Sequence, residues 1–508
     1  MNLVEVPLFA PKQPATIDFL SKGDHPMLLG KDWVSGQSGQ WMEAINPATG
    51  EVLGRFPSAD AQDVELAVAK AKETFAAGAW SGLTPSQRAR VLWRVAELIE
   101  ENIDELSELE TLDQGKPLWV GRYAEIPGAA EQFRFFAGQA QRVDGQTISS
   151  SINYQPAGKQ IFAYTVKQPV GVVAAIVPWN SPLVLTAMKL APALAAGCCV
   201  VLKPAEDTSL TALRLGELLL EAGLPPGVLN IVTGRGDVVG AALAAHPDVA
   251  KISFTGSTQV GRAVLSAAGG NLKKVTLELG GKSPVIVMPD ADIEQAIQGA
   301  ANAIFFNGGQ VCVAGSRLYV HRDVFDRVVE GVAKIARELK VGHGLAPETK
   351  IGPLVSRKQA QRVHGYIQNA LRDGARALAG GAASEPLGPF GTYIEPTVLV
   401  DVKPEMECVR EEIFGPVVVA TPVDSLEEAL ALANDSMYGL AASIWTSDLS
   451  TAHRAAALLH SGTVWINCHL MFDASLPIGG VKQSGWGRES GQAAIDNFLE
   501  VKTVCAVV

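Results

Sequence analysis

Hydrophobic residues recur at helical spacing through the first part of the chain. The segments AQDVELAVAKAKETFAAG, from Ala61, and PSQRARVLWRVAELIEENIDELSELETL, from Pro85, place apolar residues three and four positions apart, which is the spacing of an amphipathic helix. The second segment opens with Pro85 and Ser86 and interleaves acidic with basic residues, as surface helices do. The pattern predicts one helix over each segment.

From Gly171 the pattern changes to short, continuous apolar runs. The runs are GVVAAIV, CCVVL, VLNIV, KISF and KVTLEL, and helical patterns such as TSLTALRLGELLLEAG lie between them. Strands that are apolar on both faces and alternate with helices are typical of a parallel sheet with helices on both sides. Such a sheet binds its ligands at the carboxyl ends of its strands.

A second pattern of this kind begins near Ser283. It contains the apolar run SPVIVM, a helical segment over 293–305, the run SRLYVH and a helix from Asp323, and it predicts a second α/β domain. Two segments stand apart from both patterns. NYQPAGKQIFAYTVKQPVG, from Asn153, predicts a β-hairpin with its turn at 156–159, and FLEVKTVCAVV predicts a terminal strand. We expect both to belong to an element that pairs across subunits.

Composition and charge narrow the class of protein. The chain has 508 residues, enough for two or three domains, and its 47% hydrophobic and 19% charged residues are ordinary for a soluble globular protein. The net charge of −11 argues against nucleic acid or an anionic membrane as partner, since both need a basic surface. Six cysteines without a C-x-x-C pair, and no evident signal peptide, predict a reduced, cytoplasmic protein without a metal site.

Polar residues follow or end four of the predicted strands. Asn180 follows GVVAAIV, Lys203 follows CCVVL, Ser257 follows KISF, and Glu278 lies near the end of KVTLEL. Because the carboxyl ends of parallel strands share one edge of a sheet, we expect these residues to cluster. A cysteine, Cys312, lies in FFNGGQVCVAGSR. A free cysteine is usually a small core residue, so a catalytic role requires a base and an oxyanion stabiliser nearby.

These segments, together with EEIFGPV over 411–417, resemble the aldehyde dehydrogenase superfamily. LELGGKSP is similar to its glutamate signature and FFNGGQVCVAGS to its cysteine signature, and the resemblance covers nearly the whole chain. Gly308 stands where many members have Gln, a departure that we expect to leave the chemistry unchanged. The resemblance implies an α/β fold of three parts: a Rossmann-type cofactor domain (1–146 and 170–280), an α/β catalytic domain (281–483) and a small β oligomerisation element (147–169 and 484–508).

The resemblance also implies three catalytic residues. Cys312 would attack the aldehyde carbon, because a thiolate is a strong nucleophile. The side-chain amide of Asn180 and the backbone N–H of Cys312 would stabilise the resulting alkoxide, and Glu278 would activate the water that hydrolyses the thioester. Lys189 and Glu489 resemble a pair that relays a proton from this base, with a structural ion pair as the alternative.

The resemblance places a further set of residues around the cofactor. The helix that opens after Ser257 would face the pyrophosphate, and Glu206 with Lys203 would bind the adenosine ribose. A carboxylate there accepts ribose hydroxyl groups and repels a 2′-phosphate, so NAD is expected, while NADP stays open. The spacing of GRGDVVG, over 234–240, differs from the dinucleotide fingerprint and indicates a strand–helix turn. The full cofactor set is Trp179, Lys203, Glu206, Gly256, Ser257, Gly261, Glu412 and Phe414.

The positions that the resemblance assigns to the substrate tunnel are mostly apolar. A semialdehyde carboxylate would favour Arg, and a cationic aldehyde would favour carboxylates with an aromatic cage; neither is evident. A bulky aryl or terpenoid aldehyde is therefore expected, and the final segment resembles the phenylacetaldehyde dehydrogenase branch. The tunnel positions are Ser181, Val184, Leu185, Met188, Phe306, Val311, Val313, Leu470, Phe472 and Ile478.

Other functions stay open on the sequence alone. Beside an aromatic substrate, a terpenoid or aliphatic aldehyde is an alternative. A CoA-acylating relative would lack the base, and a non-catalytic structural relative would have lost Cys312, Asn180 or Glu278, yet all three are present. A cysteine hydrolase would need a His beside Cys312. As partners we expect a small-molecule aldehyde and further copies of the chain, in a homodimer or homotetramer, without nucleic acid or membrane.

Overall fold

The five apolar runs after Gly171 form a parallel sheet in this computed structural model, which describes residues 9–152, 157–383 and 385–508. The first run forms the central strand, and later strands are added on one side and then on the other, which is doubly wound topology. Three short strands join by antiparallel pairing. In spatial order the strands are Gly485–Trp486, Lys274–Glu278, Lys251–Thr255, Val172–Ile176, Cys199–Lys203, Leu229–Ile231, Met27–Leu29 and Asp32–Val34.

Helices cover this sheet and bury its central strands completely. Ala61–Ala76 packs on four of the strands, while Pro182–Ala196 packs on two of them and among other helices. None of the described helices is long and apolar enough to cross a lipid bilayer. The helices associated with this sheet are Pro14–Ser21, Ala61–Ala76, Pro85–Glu101, Ile103–Gln114, Leu118–Val120, Ile126–Gln139, Pro182–Ala196, Leu210–Glu221, Ala241–Ala245, Thr258–Ala268 and Gly491–Asp496.

The prediction of a single helix from Pro85 is wrong, because Asn102 interrupts it. Asn102 has φ −108° and ψ 22°, outside the helical region, and its side-chain N–H donates to the carbonyl of Leu98 at 2.8 Å. A side chain that bonds a carbonyl of the last turn competes with continuation of the helix. The apolar spacing continues across the break, so the periodicity could not reveal it.

The second predicted α/β pattern forms a seven-stranded sheet. Its strands are parallel except for one edge strand. In spatial order they are Arg376–Ala379, Thr397–Val400, Val417–Val423, Arg317–His321, Pro284–Val287, Ala441–Trp445 and Thr463–Ile466. The associated helices are Ile293–Phe305, Phe325–Glu338, Arg357–Arg372, Glu407–Arg410, Leu426–Asn434 and Leu449–Leu458.

The two segments that stood apart in the sequence pair with each other. The terminal strand Leu499–Val507 runs antiparallel to Ile161–Pro169, which also pairs with Thr147–Ile148. The strand predicted from the Asn153 segment is therefore present, but its partners lie outside that segment: Thr147–Ile148 precedes it and Leu499–Val507 is distant in sequence. Residues 153–156, which include the start of the predicted turn, lie outside the described residues.

Fewer C-terminal residues belong to the small sheet than the expected oligomerisation element contained. The expected oligomerisation segment began at residue 484, yet Gly485–Trp486 pairs with Lys274–Glu278 and belongs to the first sheet. Residues 499–507 are the part that forms the small sheet. A separate two-stranded sheet, Trp41–Ile45 with Val52–Pro57, precedes the first long helix.

Candidate active site

The strand ends that carry the predicted polar residues are neighbours. Val172–Ile176 pairs in parallel with Cys199–Lys203 on one side and with Lys251–Thr255 on the other, and Lys274–Glu278 follows. Their carboxyl ends lie side by side at one edge, where a doubly wound sheet binds its ligands. The clustering that the sequence predicts therefore agrees with the structure.

A kinked turn carries the chain from a helix of the second sheet to Cys312. After Ile293–Phe305 the backbone enters the left-handed region at Asn307, Gly308 and Gly309, with φ of 49°, 60° and 72°. Glycine adopts this conformation without steric cost, which explains why Gly308 suits a position where the resemblance suggests Gln. The carbonyl of Cys312 packs so closely on Gly281 that a β-carbon there would collide with it.

The environment of the Cys312 thiol disfavours ionisation in the free chain. Burial raises its pKa to about 12, and the charges of Glu412, Glu278 and Glu489 act in the same direction. The backbone N–H of Val313 opposes them by favouring the thiolate. Because ordinary thiols ionise near pH 8.5, Cys312 is protonated at neutral pH until a base removes its proton.

The amide of Asn180 is tied to the turn that carries Cys312. Asn180 is buried, and its side-chain N–H donates to the carbonyl of Gln310 at 2.9 Å. The side chain of Asn307 donates back to the Asn180 carbonyl at 3.0 Å. An amide has two N–H donors, so one is left for an oxyanion. Sequence reasoning missed Asn307 and Gln310, although both are amides within the quoted cysteine motif.

Glu278 lies at the end of its strand as a buried carboxyl group. Its Oε1 makes no hydrogen bond within the described part of the chain. Burial raises the pKa of Glu278 well above its ordinary value, and the charge of Glu489 adds to the effect. Glu489 forms a buried ion pair with Lys189, whose Nζ also donates to Ser253 Oγ at 3.3 Å. The two residues expected to act as a relay therefore contact each other, and their charges act on Glu278.

Three of the predicted cofactor residues form a group at the carboxyl edge of the first sheet, on the side of Cys312. The rings of Trp179 and Phe414 meet edge to face, with centroids 5.2 Å apart, and Phe414 has a left-handed backbone with φ 60°. Glu412 Oε1 accepts the backbone N–H of Gly281 at 2.9 Å. Burial raises the pKa of Glu412 to about 7, although this hydrogen bond opposes the shift.

Lys203 and Glu206 form a second group of predicted cofactor residues. Lys203 Nζ donates to Glu206 Oε2 at 3.3 Å and to the carbonyl of Pro204 at 2.7 Å. Burial alone would raise the pKa of Glu206, but the Lys203 ammonium and two backbone N–H groups lower it overall. One of these donors is Gly236, so the GRGDVVG turn contacts the Glu206 carboxylate. The interpretation of GRGDVVG as a strand–helix turn did not include this contact.

The segment GSTQVG opens the helix Thr258–Ala268, as predicted. Ser257 is its N-cap and accepts the N–H of Val260 at 3.3 Å, while the N–H of Gly256 donates to the carbonyl of Glu278. Gly261 is buried against Leu279, where a β-carbon would collide; its position serves close helix–strand packing. A glycine-rich helix N-terminus and an ionised carboxylate follow the two strands that flank Val172–Ile176, and together they match the pyrophosphate and ribose of a dinucleotide.

The predicted tunnel residues on the first α/β unit lie at the N-terminal part of one helix. Val184, Leu185 and Met188 are partly buried on Pro182–Ala196. Ser181, just before it, donates its hydroxyl to Glu125 Oε1 at 2.8 Å. Sequence reasoning missed Glu125, which forms a buried ion pair with Lys116.

The tunnel residues predicted on the second α/β unit lie in four different environments. Val311, Leu470 and Ile478 pack with Cys312 on one apolar cluster. Val313 is at the centre of that cluster and 0% exposed, so it packs in the core and has no free surface for a substrate. Phe306 meets Trp119 edge to face. Phe472 is 55% exposed and contacts Trp465, so it stands at the outer rim.

A doubly wound sheet with a helix N-terminus and a carboxylate at its strand ends is typical of dinucleotide-binding proteins, and here the turn that carries Cys312 is bonded to the same edge through Asn180. Residues 33–504 match the model of the aldehyde dehydrogenase family. The chain is 49% identical to the phenylacetaldehyde dehydrogenase of Pseudomonas fluorescens, over 94% of this chain and 95% of that protein. It is 43% identical to aldehyde dehydrogenase family 2 member C4 of Arabidopsis thaliana, over 94% of each chain.

Solved structures lead to the same family. An NAD⁺ complex of aldehyde dehydrogenase from Bacillus cereus superposes with a TM-score of 0.94 at 44% identity, covering 98% of this chain and 99% of that one. The chain therefore belongs to the aldehyde dehydrogenase family. It is an enzyme, and the α/β, aldehyde dehydrogenase-like fold class that the resemblance implied is confirmed.

Proposed function

We propose that the enzyme oxidises a bulky apolar or aromatic aldehyde, such as phenylacetaldehyde, to the carboxylic acid, with NAD as cofactor. The observation that carries the substrate class is the apolar cluster on which Cys312 packs, where Val311, Leu470 and Ile478 are its neighbours. An apolar wall stabilises an aryl or alkyl group by removing it from water. The identity with a phenylacetaldehyde dehydrogenase supports the same substrate class.

Cys312 is the proposed nucleophile. Its sulfur forms a bond to the aldehyde carbon, the S–H bond breaks as its proton passes to solvent water, and the carbonyl oxygen becomes an alkoxide. The free N–H of the Asn180 amide and the backbone N–H of Cys312 are the proposed donors to that alkoxide. The hydrogen bond between Asn180 and the carbonyl of Gln310 supports this role, because it fixes the amide beside the cysteine turn before substrate arrives.

NAD, when bound, supplies the acceptor for the hydride that the carbon must lose. We propose that Trp179, Glu412 and Phe414 hold the nicotinamide end. Lys203 and Glu206 would hold the adenosine ribose, and the N-terminus of Thr258–Ala268, with Gly256, Ser257 and Gly261, the pyrophosphate. The lowered pKa of Glu206 supports NAD over NADP, since an ionised carboxylate repels a 2′-phosphate.

Glu278 is the proposed base for hydrolysis of the Cys312 thioester. It removes a proton from water as the water oxygen attacks the acyl carbon, and the C–S bond then breaks to give the acid and the thiol. Burial raises the pKa of Glu278, which supports this role because a carboxylate with a raised pKa is a stronger base. The ion pair of Lys189 with Glu489 is the proposed route onward for that proton.

We propose that the active form is a homodimer or homotetramer located in the cytoplasm, with the small sheet as part of the subunit contact. Its terminal strand, Leu499–Val507, pairs on one side only within the described residues, and an unpaired strand edge readily pairs with another chain. Six free cysteines suit a reducing compartment.

The test is NAD(P)H formation by purified protein with phenylacetaldehyde, a short aliphatic aldehyde and betaine aldehyde, each with NAD and with NADP. We expect phenylacetaldehyde with NAD to give the highest kcat/KM, and Cys312→Ala to abolish the reaction. A preference for the short or the cationic aldehyde would contradict the substrate class while leaving the nucleophile in place. Activity in Cys312→Ala would contradict the mechanism.

A further inference from the structure

A buried histidine, His469, joins the cysteine turn to the segment that carries the predicted tunnel residues. It is 3% exposed. Its Nε2 lies 2.9 Å from the carbonyl oxygen of Val313, the residue after Cys312, and its Nδ1 lies 2.8 Å from Ser443 Oγ. Neither the catalytic nor the cofactor set includes it.

The two hydrogen bonds determine the tautomer of His469. A carbonyl oxygen can only accept, so Nε2 carries the hydrogen and donates it to Val313, while Nδ1 accepts the hydroxyl of Ser443. Burial lowers the pKa of His469 to about 4, with the Val313 carbonyl opposing the shift. The imidazole is therefore neutral at physiological pH, and it acts as a fixed donor and acceptor.

Ring packing holds His469 in this position. Its ring lies against that of Trp465, with centroids 4.6 Å apart. The indole N–H of Trp465 donates to the carbonyl of Met471 at 3.1 Å, and its ring meets Phe472 edge to face. The imidazole of His469 thus contacts the strand that ends at Ile466 and the turn that carries Cys312. It lies in the segment that also carries Leu470 and Phe472.

Val313 connects this imidazole to the reacting atoms. Its backbone N–H favours the Cys312 thiolate, and its carbonyl is the group that His469 binds. The backbone N–H of Cys312, the proposed oxyanion donor, lies one peptide earlier. A small rotation of the turn would therefore move both N–H groups, and preorganised donors lose much of their effect when displaced.

We infer that His469 is a positioning residue: its Nε2–H donor holds the carbonyl of Val313 and so fixes the turn that orients Cys312. The inference rests on the proposed role of Cys312 as nucleophile. It explains why a polar ring lies inside an otherwise apolar cluster: it gives a buried carbonyl a partner that apolar neighbours cannot supply.

The test compares His469→Phe, which keeps a ring and removes the donor, with His469→Gln, which restores an N–H at similar reach. We expect His469→Phe to lower kcat about tenfold with KM for the aldehyde changed less than about twofold, as for loss of a transition-state interaction. His469→Gln should recover most of kcat. The matched control is His343→Phe, which removes another buried imidazole outside the proposed machinery.

Alkylation of Cys312 by iodoacetamide, measured across a pH series, separates an effect of His469→Phe on the position of the turn from an effect on stability. The charged groups that act on the thiol, Glu412, Glu278 and Glu489, are unchanged in all variants. We therefore expect His469→Phe to lower the alkylation rate at each pH between about 7 and 10, and His343→Phe to leave the rates unchanged. A lower melting temperature with an unchanged profile, and unchanged kcat per titrated active site, would overturn the inference.

Two further variants keep the test decisive. If His469→Phe does not fold, Ser443→Ala removes the hydroxyl that fixes the tautomer, and it should lower kcat about threefold, a fraction of one hydrogen bond. An unchanged kcat and alkylation profile in Ser443→Ala would then overturn the inference. Activity remaining in Cys312→Ala would instead mean that the proposed nucleophile is wrong, whatever His469 does.

Discussion

Cys312 lies among carboxyl groups that oppose its ionisation. Burial together with Glu412, Glu278 and Glu489 raises its thiol pKa to about 12 in the free chain, although only the thiolate is strongly nucleophilic. Catalysis therefore requires removal of the thiol proton at the time of attack. A protonated resting thiol also resists oxidation and alkylation, because both reactions follow the thiolate fraction.

This protonation state gives a pH prediction. For an acid whose pKa is raised to about 12, the thiolate fraction rises about tenfold for each pH unit up to that value. We expect the rate of Cys312 alkylation in the free enzyme to rise steadily between about pH 7 and pH 10 without levelling. Mass spectrometry of the modified peptide measures it, with the same peptide in the unfolded protein as the reference. A plateau near pH 8 would contradict the raised pKa.

Replacement of Glu278 by Gln separates the two halves of the reaction. The variant keeps an isosteric side chain and lacks the base, so thioester hydrolysis should slow by about 10²–10⁴-fold. We expect a first burst of NADH followed by very slow turnover in stopped-flow measurements. Equal loss of the burst and of the steady state would mean that Glu278 acts before hydride transfer instead.

Among the elements of the fold, the helix Pro182–Ala196 contacts at its N-terminus a cluster of buried charged residues that sequence reasoning missed. Lys116 forms ion pairs with Glu110 and Glu125, and all three are buried. Glu110 accepts the N–H of Leu183 at 2.8 Å, in the first turn of the helix. Carboxylates at a helix N-terminus complement its dipole. This group thereby fixes the segment that carries Asn180.

Replacement of Lys116 by Met tests this support. Removing one partner leaves two buried carboxyl groups without their cation, which costs about 3–5 kcal/mol of folding free energy. We expect a clearly lower unfolding midpoint in guanidinium and a lower kcat, because the Asn180 segment loses its anchor. The control is Lys72→Met, which breaks the exposed pair of Lys72 with Asp248. If both variants unfold at the same midpoint as the wild type, the Lys116 ion pairs do not stabilise the fold.

At the scale of the whole molecule, the small sheet carries apolar residues to the surface. Phe162 is 47% and Val501 65% exposed in the single chain, and both lie on adjacent strands of this sheet. Exposed apolar residues beside an unpaired strand edge mark a contact with another chain.

We expect light scattering to find a homodimer or homotetramer for the wild type, and Val501→Lys to shift it toward smaller species. A lysine at this position disfavours pairing of the edge strand with another chain, because it places a charge at the strand edge. Leu449→Lys, at a residue 71% exposed on a helix of the seven-stranded sheet, should leave the assembly unchanged. A monomeric wild type, or an unchanged assembly in Val501→Lys, would argue against this contact.

Two features could be predicted from the sequence alone: the order of strands and helices, and the polar residues at the strand ends. Both follow from local properties, because the spacing of apolar residues reports which face an element buries. The cysteine and glutamate motifs are contiguous, so the family could also be inferred from them.

The tertiary structure alone decided which residues meet across long separations in the chain. Val311 and Val313 are two positions apart, yet the fold leaves the first partly exposed and buries the second. The contacts of Ser181 with Glu125 and of His469 with Val313 join residues 56 and 156 positions apart. Local periodicity cannot encode such contacts, since they depend on how whole elements pack and on which buried polar atoms need partners.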